Sequence, residues 1–85
     1  MKHARIDYDR IQDPAGLIPA DEPVFLIRGQ DKLAVATMIF YANLAKSMGV
    51  EDDLVGLVEQ HIDAVEAWQQ LIGSKMPDVP QDAGG

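Results

Sequence analysis

The stretch EPVFLIRGQDKLAVATMIFYANLAKSMG, from Glu22 to Gly49, decides the fold. Strand-forming residues occupy 24–28, and an almost uncharged helical pattern follows at once. We predict a helix over 31–48, with Asp31 as its N-cap and Gly49 as the C′ residue that ends it. Apolar side chains lie on both sides of this helix, so neither side is suited to water.

A second helix is predicted over 51–72. Glu51, Asp52 and Asp53 suit the positive end of its dipole, and Gly73 ends it. At about 100° per residue, one apolar stripe runs along this helix, with acids opposite. The stripe consists of Leu54, Leu57, Val58, His61, Val65, Trp68 and Ile72. We expect Trp68 to be largely buried against helix 31–48.

Upstream, ARIDYDRI (4–11) alternates apolar and polar residues, which is typical of a half-exposed strand. A proline-rich loop with a turn at 13–16 joins it to the strand over 24–28. The order is β-β-α-α, an α+β fold in which a short two-stranded antiparallel ribbon precedes an antiparallel helical hairpin. We expect one domain over 1–76 and a flexible tail over 77–85.

Self-association is expected because a two-stranded ribbon is marginally stable and helix 31–48 has two apolar sides. We expect the second sides of the ribbon and of this helix to meet another copy in a symmetric homo-oligomer. Ile39→Glu should then dissociate or unfold the protein.

Composition indicates a cytoplasmic protein. The 85 residues contain no cysteine, which excludes disulfides and thiolate metal sites and fits a reducing compartment. The N-terminus does not resemble a signal peptide. The longest uncharged stretch, 33–45, is shorter than the roughly 18–20 residues of a membrane-spanning helix.

The net charge of −7 is unevenly distributed. Residues 1–32 hold five of the seven basic residues and six acids, whereas residues 33–85 hold two basic residues and eight acids. General nucleic-acid binding relies on clustered Lys and Arg, so we exclude it. A small anionic ligand near the N-terminal third stays compatible with this distribution.

No residue pattern predicts an enzyme, a metal site or a cofactor. The two histidines are His3, near the terminus, and His61, on an apolar stripe where a core or interface role is commoner. The acids of helix 51–72 lack the spacing of a calcium-binding loop, and the glycine motifs of phosphate loops do not occur.

The junction IRGQDKLA (27–34) is the candidate ligand site, because a helix N-terminus presents unpaired amides to an anion. Arg28 can hold a phosphate or carboxylate with two hydrogen bonds, Gly29 allows close approach, and Gln30 can recognise an amide or a base edge. Asp31 can accept from a ribose hydroxyl unless it is used as the cap, and Lys32 adds a positive charge. Tyr8 and Arg10 on the first strand complete the predicted site. The alternative is structural: a turn glycine, a cap, and Arg28 paired with an acid such as Asp9 or Glu22.

The block IPADEPVFLIRGQD, followed by FYA and by EQHIDAVEAWQ, resembles a set of small proteins encoded by phages and prophages, most of them uncharacterised. The resemblance covers about Ile6 to Met76 and carries no catalytic motif. It implies action in a host bacterial cytoplasm, in host takeover or counter-defence. Oligomeric sponges of the Sequestin and Lockin types, which sequester nucleotide immune signals, are similar in size and expected assembly.

Two functions are therefore open. The first is a non-catalytic binding protein that sequesters a small phosphorylated ligand, such as a cyclic nucleotide or an ADP-ribose-type immune signal, at an oligomer interface. The second is an acidic protein-binding inhibitor of a host defence factor, similar to an anti-CRISPR decoy. Its acidic face would consist of Asp52, Glu59, Asp63 and Glu66.

Overall fold

The computed structural model describes residues 2–4 and 13–78. Along this part of the chain the elements are β1 (Lys2–His3), β2 (Pro23–Val24), α1 (Ala34–Ser47) and α2 (Asp52–Leu71). The chain divides into two compact units, one containing Met1–Ile27 and Asp78–Gly85 and the other Arg28–Pro77. The α+β class and the helical hairpin are confirmed.

Strand pairing in the N-terminal unit differs from the prediction. β1 and β2 run parallel, with Lys2 opposite Pro23 and His3 opposite Val24. The antiparallel pairing is therefore wrong for these residues, because the segment between the two strands is long enough for a crossover, whereas an antiparallel ribbon is usually closed by a short turn. Residues 25–28 pair with no strand in the described structure, and most of the predicted strand 4–11 lies outside the described residues.

The predicted turn at Asp13 is confirmed. The amide of Gly16 donates to the Asp13 carbonyl over 3.0 Å. The Asp13 carboxylate accepts from the amides of Leu17 and Ile18, both at 3.1 Å. Gly16 has φ 64°, a left-handed conformation that glycine adopts without steric cost.

The start of α1 lies slightly later than predicted. The N-cap is Leu33, with no side-chain capping hydrogen bond, so the assignment of Asp31 as N-cap is wrong by two residues. Asp31 instead stabilises the preceding turn: its Oδ1 accepts from the Leu33 amide at 2.7 Å, and its carbonyl accepts from the Ala34 amide at 3.0 Å. A short polar side chain that bonds its own backbone two residues on favours a turn before a helix.

The end of α1 is a Schellman motif, as Gly49 predicted. The Gly49 amide donates to the Lys46 carbonyl at 3.2 Å, and the Val50 amide donates to the Ala45 carbonyl at 3.0 Å. Gly49 has φ 79°. Glu51 is the N-cap residue of α2, without a side-chain capping hydrogen bond, and the first turn carries Asp52 and Asp53. This short connection makes α1 and α2 an antiparallel pair.

Small side chains on α1 pack against branched side chains on α2 to form the core of the helical unit. The most buried residues of the described chain are Ala34, Ala42, Ala45, Val55, Ile62 and Val65. The seam on α2 therefore differs from the predicted stripe: Leu54, Leu57 and Trp68 are 46%, 62% and 43% exposed. The expectation that Trp68 is largely buried is wrong for the single chain. In residues 2–4 and 13–78 no helix combines the length and apolar character needed to cross a membrane.

Candidate ligand-binding cleft

Two short segments outside the helices close the open end of the hairpin. The Lys75 amide donates to the Gln30 carbonyl at 2.8 Å, and the Lys32 amide donates to the Lys75 carbonyl at 2.9 Å. Asp31 and Lys75 thereby form a parallel bridge. We call residues 28–33 and 73–77, joined in this way, the backbone clasp.

Gln69 fixes the clasp to α2. Its half-buried Nε2 donates to the Gly29 carbonyl at 2.8 Å and to the Asp31 carbonyl at 3.0 Å. Sequence reasoning missed this role. The signal in the sequence was an amide side chain four residues after Val65, on the face of α2 that packs against α1.

An open cleft of about 240 Å³ lies beside the clasp. It is lined by Gln30, Trp68, Ile72, Gly73, Ser74 and Lys75. The Trp68 ring approaches the clasp closely, since a Cβ added to Gly29 would lie 4.0 Å from its Cε3 atom. The cleft thus combines an aromatic wall with amide, hydroxyl and amine groups.

The clasp is a positive region of an acidic chain. Its sequence carries three cations, Arg28, Lys32 and Lys75, and one carboxylate, Asp31. One oxygen of that carboxylate, Oδ1, accepts from the Leu33 amide, and the clasp as a whole has a net charge of +2. Between 34 and 71, by contrast, the sequence has one basic residue and six acids. An anion is therefore better accommodated at the clasp than along the helices.

The structure brings the predicted site residues 28–32 into the clasp, and Gln30 alone of them lines the cleft. Arg28 and Lys32 are exposed, and Gly29 and Gln30 are half-buried. The predicted contributions of Tyr8 and Arg10 lie outside the described residues. Ser74 and Lys75, which line the cleft, were not predicted as site residues.

The amides at the start of α1 are less available than expected. Those of Asp31, Lys32 and Leu33 donate to the Arg28 carbonyl at 3.0 Å, the Lys75 carbonyl at 2.9 Å and Asp31 Oδ1 at 2.7 Å. An anion at the clasp would therefore be held by side chains rather than by these three amides.

In the part of the chain that the structure describes, no group of three or more His, Cys, Asp or Glu residues is arranged to hold a metal ion. His61 is exposed on α2. No protein-family model matches the chain, and neither a curated protein nor a solved structure shows significant similarity to it.

Proposed function

We propose that this chain is a non-catalytic binding protein for a small phosphorylated ligand that carries a planar ring, held in the cleft beside the clasp. The observation that carries the proposal is the composition of the cleft: the half-exposed Trp68 ring lies with Gln30 and Lys75 around one open space.

Each group suits one part of such a ligand. An exposed indole stacks on a nucleobase, an interaction that contributes about 1–3 kcal/mol per base. The Gln30 amide both donates and accepts, as a base edge requires. Arg28, exposed on the clasp, supplies a planar guanidinium that binds phosphate through two hydrogen bonds, and Lys75 adds positive charge at the cleft.

Titration calorimetry with AMP, cyclic AMP and ADP-ribose tests this proposal. We expect binding by at least one probe, and about 10- to 100-fold weaker binding by Lys75→Gln, since a hydrogen bond to a charged group contributes roughly 1.5–3 kcal/mol. Lys46→Gln is the matched control. It removes the same charge from the far end of α1, a helix of 14 residues and thus about 20 Å long. Equal effects of the two variants would show that only net charge matters, and no binding by any probe would refute the nucleotide ligand.

Arg28 separates ligand binding from structural ion pairing. Because Arg28 is exposed, Arg28→Ala should change the free energy of unfolding by no more than about 0.5 kcal/mol. Ligand binding should weaken, and Arg28→Lys should recover only part of the loss because an ammonium cannot form the two parallel hydrogen bonds. A sharp fall in the melting temperature of Arg28→Ala would instead assign Arg28 to a structural pair.

The resemblance to small phage and prophage proteins extends this proposal to a role. A protein that holds a nucleotide without reacting with it lowers the free concentration of that nucleotide. In a bacterial cytoplasm, a cyclic nucleotide or ADP-ribose-type immune signal would be sequestered in this way.

A protein-binding inhibitor is the second candidate, favoured by the exposed acids of α2. Glu59, Asp63 and Glu66 are exposed at spacings of four and three, so they form one ridge. Glu59 is paired with Lys46, which leaves Asp63 and Glu66 as the stronger contacts for a basic partner. Replacing these two acids by Asn and Gln should abolish inhibition of a host factor and leave nucleotide binding unchanged if this candidate is right.

A further inference from the structure

The two sides of the helical hairpin differ sharply in character. Lys46 of α1 and Glu59 of α2 meet across one side, with Nζ and Oε2 3.5 Å apart. We call this side the charged flank. Leu44 lies about 200° around α1 from Lys46, and Leu57 lies about 160° around α2 from Glu59. Both leucines therefore lie on the opposite side of the hairpin from the charged flank. There, side chains of α1 and α2 together form a second surface.

This second surface is largely apolar, with exposed Thr37 and His61 among its side chains, and we call it the apolar flank. It consists of Phe40, Leu44 and Met48 from the α1 side and Leu54, Leu57 and Trp68 from α2, and Tyr41 and Ile72 extend it. All eight are between 43% and 75% exposed. At ~200 Å² for a whole side chain, this is a patch of roughly 900 Å². The largest apolar patch on an ordinary monomer is about 300–600 Å².

We propose that the apolar flank is the contact surface between two copies of this chain, which pack flank to flank as a four-helix bundle. A stable interface buries about 800 Å² per partner, which the apolar flank supplies. A single surface that meets its own copy about a twofold axis is also the commonest way in which small proteins associate. The proposal is independent of the ligand proposed above.

Charge placement favours a second copy over a lipid surface. The sequence from 34 to 71 has one basic residue, Lys46, and it lies on the charged flank. Helices that lie on membranes are rich in Lys and Arg, which attract anionic lipids. In a flank-to-flank pair, the acidic ridge of each copy faces away from the contact. The negative charges of the two chains, each with a net charge of −7, are therefore kept away from each other.

Pairing would also complete the cleft. Trp68 and Ile72 belong to both the apolar flank and the cleft wall. The cleft, about 240 Å³ in volume, is open to solvent, so a neighbouring chain beside Trp68 would supply a wall that one chain lacks.

Sedimentation velocity on the full chain, with circular dichroism as the folding control, tests the proposal. The native chain should be a dimer. Phe40→Lys and Leu44→Lys should weaken it on the order of 30-fold or more, because each dimer buries two introduced charges. Ile39→Lys is the matched control and should stay dimeric, in contrast to the dissociation or unfolding expected above for Ile39→Glu, because Ile39 lies outside the apolar flank. Ile39 is 43% exposed against 49% for Leu44 but lies about 140° away around α1.

Phe40→Lys should leave the fold intact, because Phe40 is 70% exposed and contributes little to the stability of the single chain. A native chain that is monomeric at every concentration would overturn the proposal. Other residues of the same chain would then cover the apolar flank. A dimer that survives both flank substitutions would place the contact elsewhere. Cosedimentation of the native chain with vesicles of neutral lipid, lost in Phe40→Lys, would assign the flank to a membrane.

Discussion

Gln69 and Gly29, forty positions apart in sequence, are joined by a hydrogen bond of 2.8 Å from the side-chain amide to the backbone carbonyl. The same Nε2 reaches the Asp31 carbonyl at 3.0 Å. One side chain on the seam of α2 therefore fixes the segment that carries the candidate binding residues.

Removing this side chain should destabilise the helical unit. Gln69→Ala leaves the Gly29 carbonyl without its donor, while the Asp31 carbonyl keeps the Ala34 amide, and we expect a loss of about 1–3 kcal/mol in the free energy of unfolding. Gln70→Ala, an exposed neighbour on the same helix, should change it by no more than about 0.5 kcal/mol. Urea denaturation measures both. Equal stability of the two variants would show that water satisfies the carbonyls as well as Gln69 does.

Replacing two glycines by alanine should change the stability of the protein in opposite directions. Gly49 has φ 79°, so Gly49→Ala should destabilise by about 1–2 kcal/mol. Gly56 lies inside α2, and nothing lies within 4 Å of a Cβ added there, so Gly56→Ala should stabilise by about 0.5–1 kcal/mol. Thermal denaturation of the pair checks this, and a destabilising Gly56→Ala would mean that another chain occupies the space.

The pair of Lys46 and Glu59 should contribute little to stability. Both side chains are 52% exposed, and exposed ion pairs typically contribute less than about 1 kcal/mol. Glu59→Gln should therefore lower the free energy of unfolding by no more than about 0.5 kcal/mol, and added salt should reduce the difference further. A larger and salt-insensitive loss would place the charged flank in a buried contact.

Trp68, the single tryptophan, should report on self-association. Because it is 43% exposed in one chain, its emission should shift to longer wavelength as the protein is diluted and the apolar flank is uncovered. Phe40→Lys should show the long-wavelength emission at all concentrations. Emission that is independent of concentration in a native dimer would show that Trp68 lies outside the contact.

Local signals in the sequence predicted the helices well. The predicted ranges 31–48 and 51–72 contain the observed Ala34–Ser47 and Asp52–Leu71, and Gly49 ends α1 as expected. These features depend on neighbouring residues, such as a glycine that adopts positive φ and acids at a helix start. Asp31 was misassigned as the N-cap because its side chain is equally suited to the turn that precedes a helix.

Non-local features were predicted poorly. The parallel direction of β1 and β2 depends on how a long loop folds back, which no residue in either strand specifies. The buried face of α2 was misplaced because its larger apolar residues were taken as the core, whereas the residues that are buried are the small Ala42 and Ala45 of α1 and the branched Val55 and Ile62 of α2. The cleft depends on Lys75 meeting Gln30 across forty-five positions, which a sequence pattern does not reveal.

The bridge between Asp31 and Lys75 also has a topological consequence. The polypeptide enters and leaves Arg28–Pro77 at one place, so the two ends of this unit are neighbours. Units with adjacent ends can be circularly permuted or inserted into a host loop without being pulled apart. A permutant that joins residue 77 to residue 28 by a short glycine linker and opens the chain between Met48 and Glu51 would keep both helices whole. The hairpin would then be a unit that can be transferred into another protein.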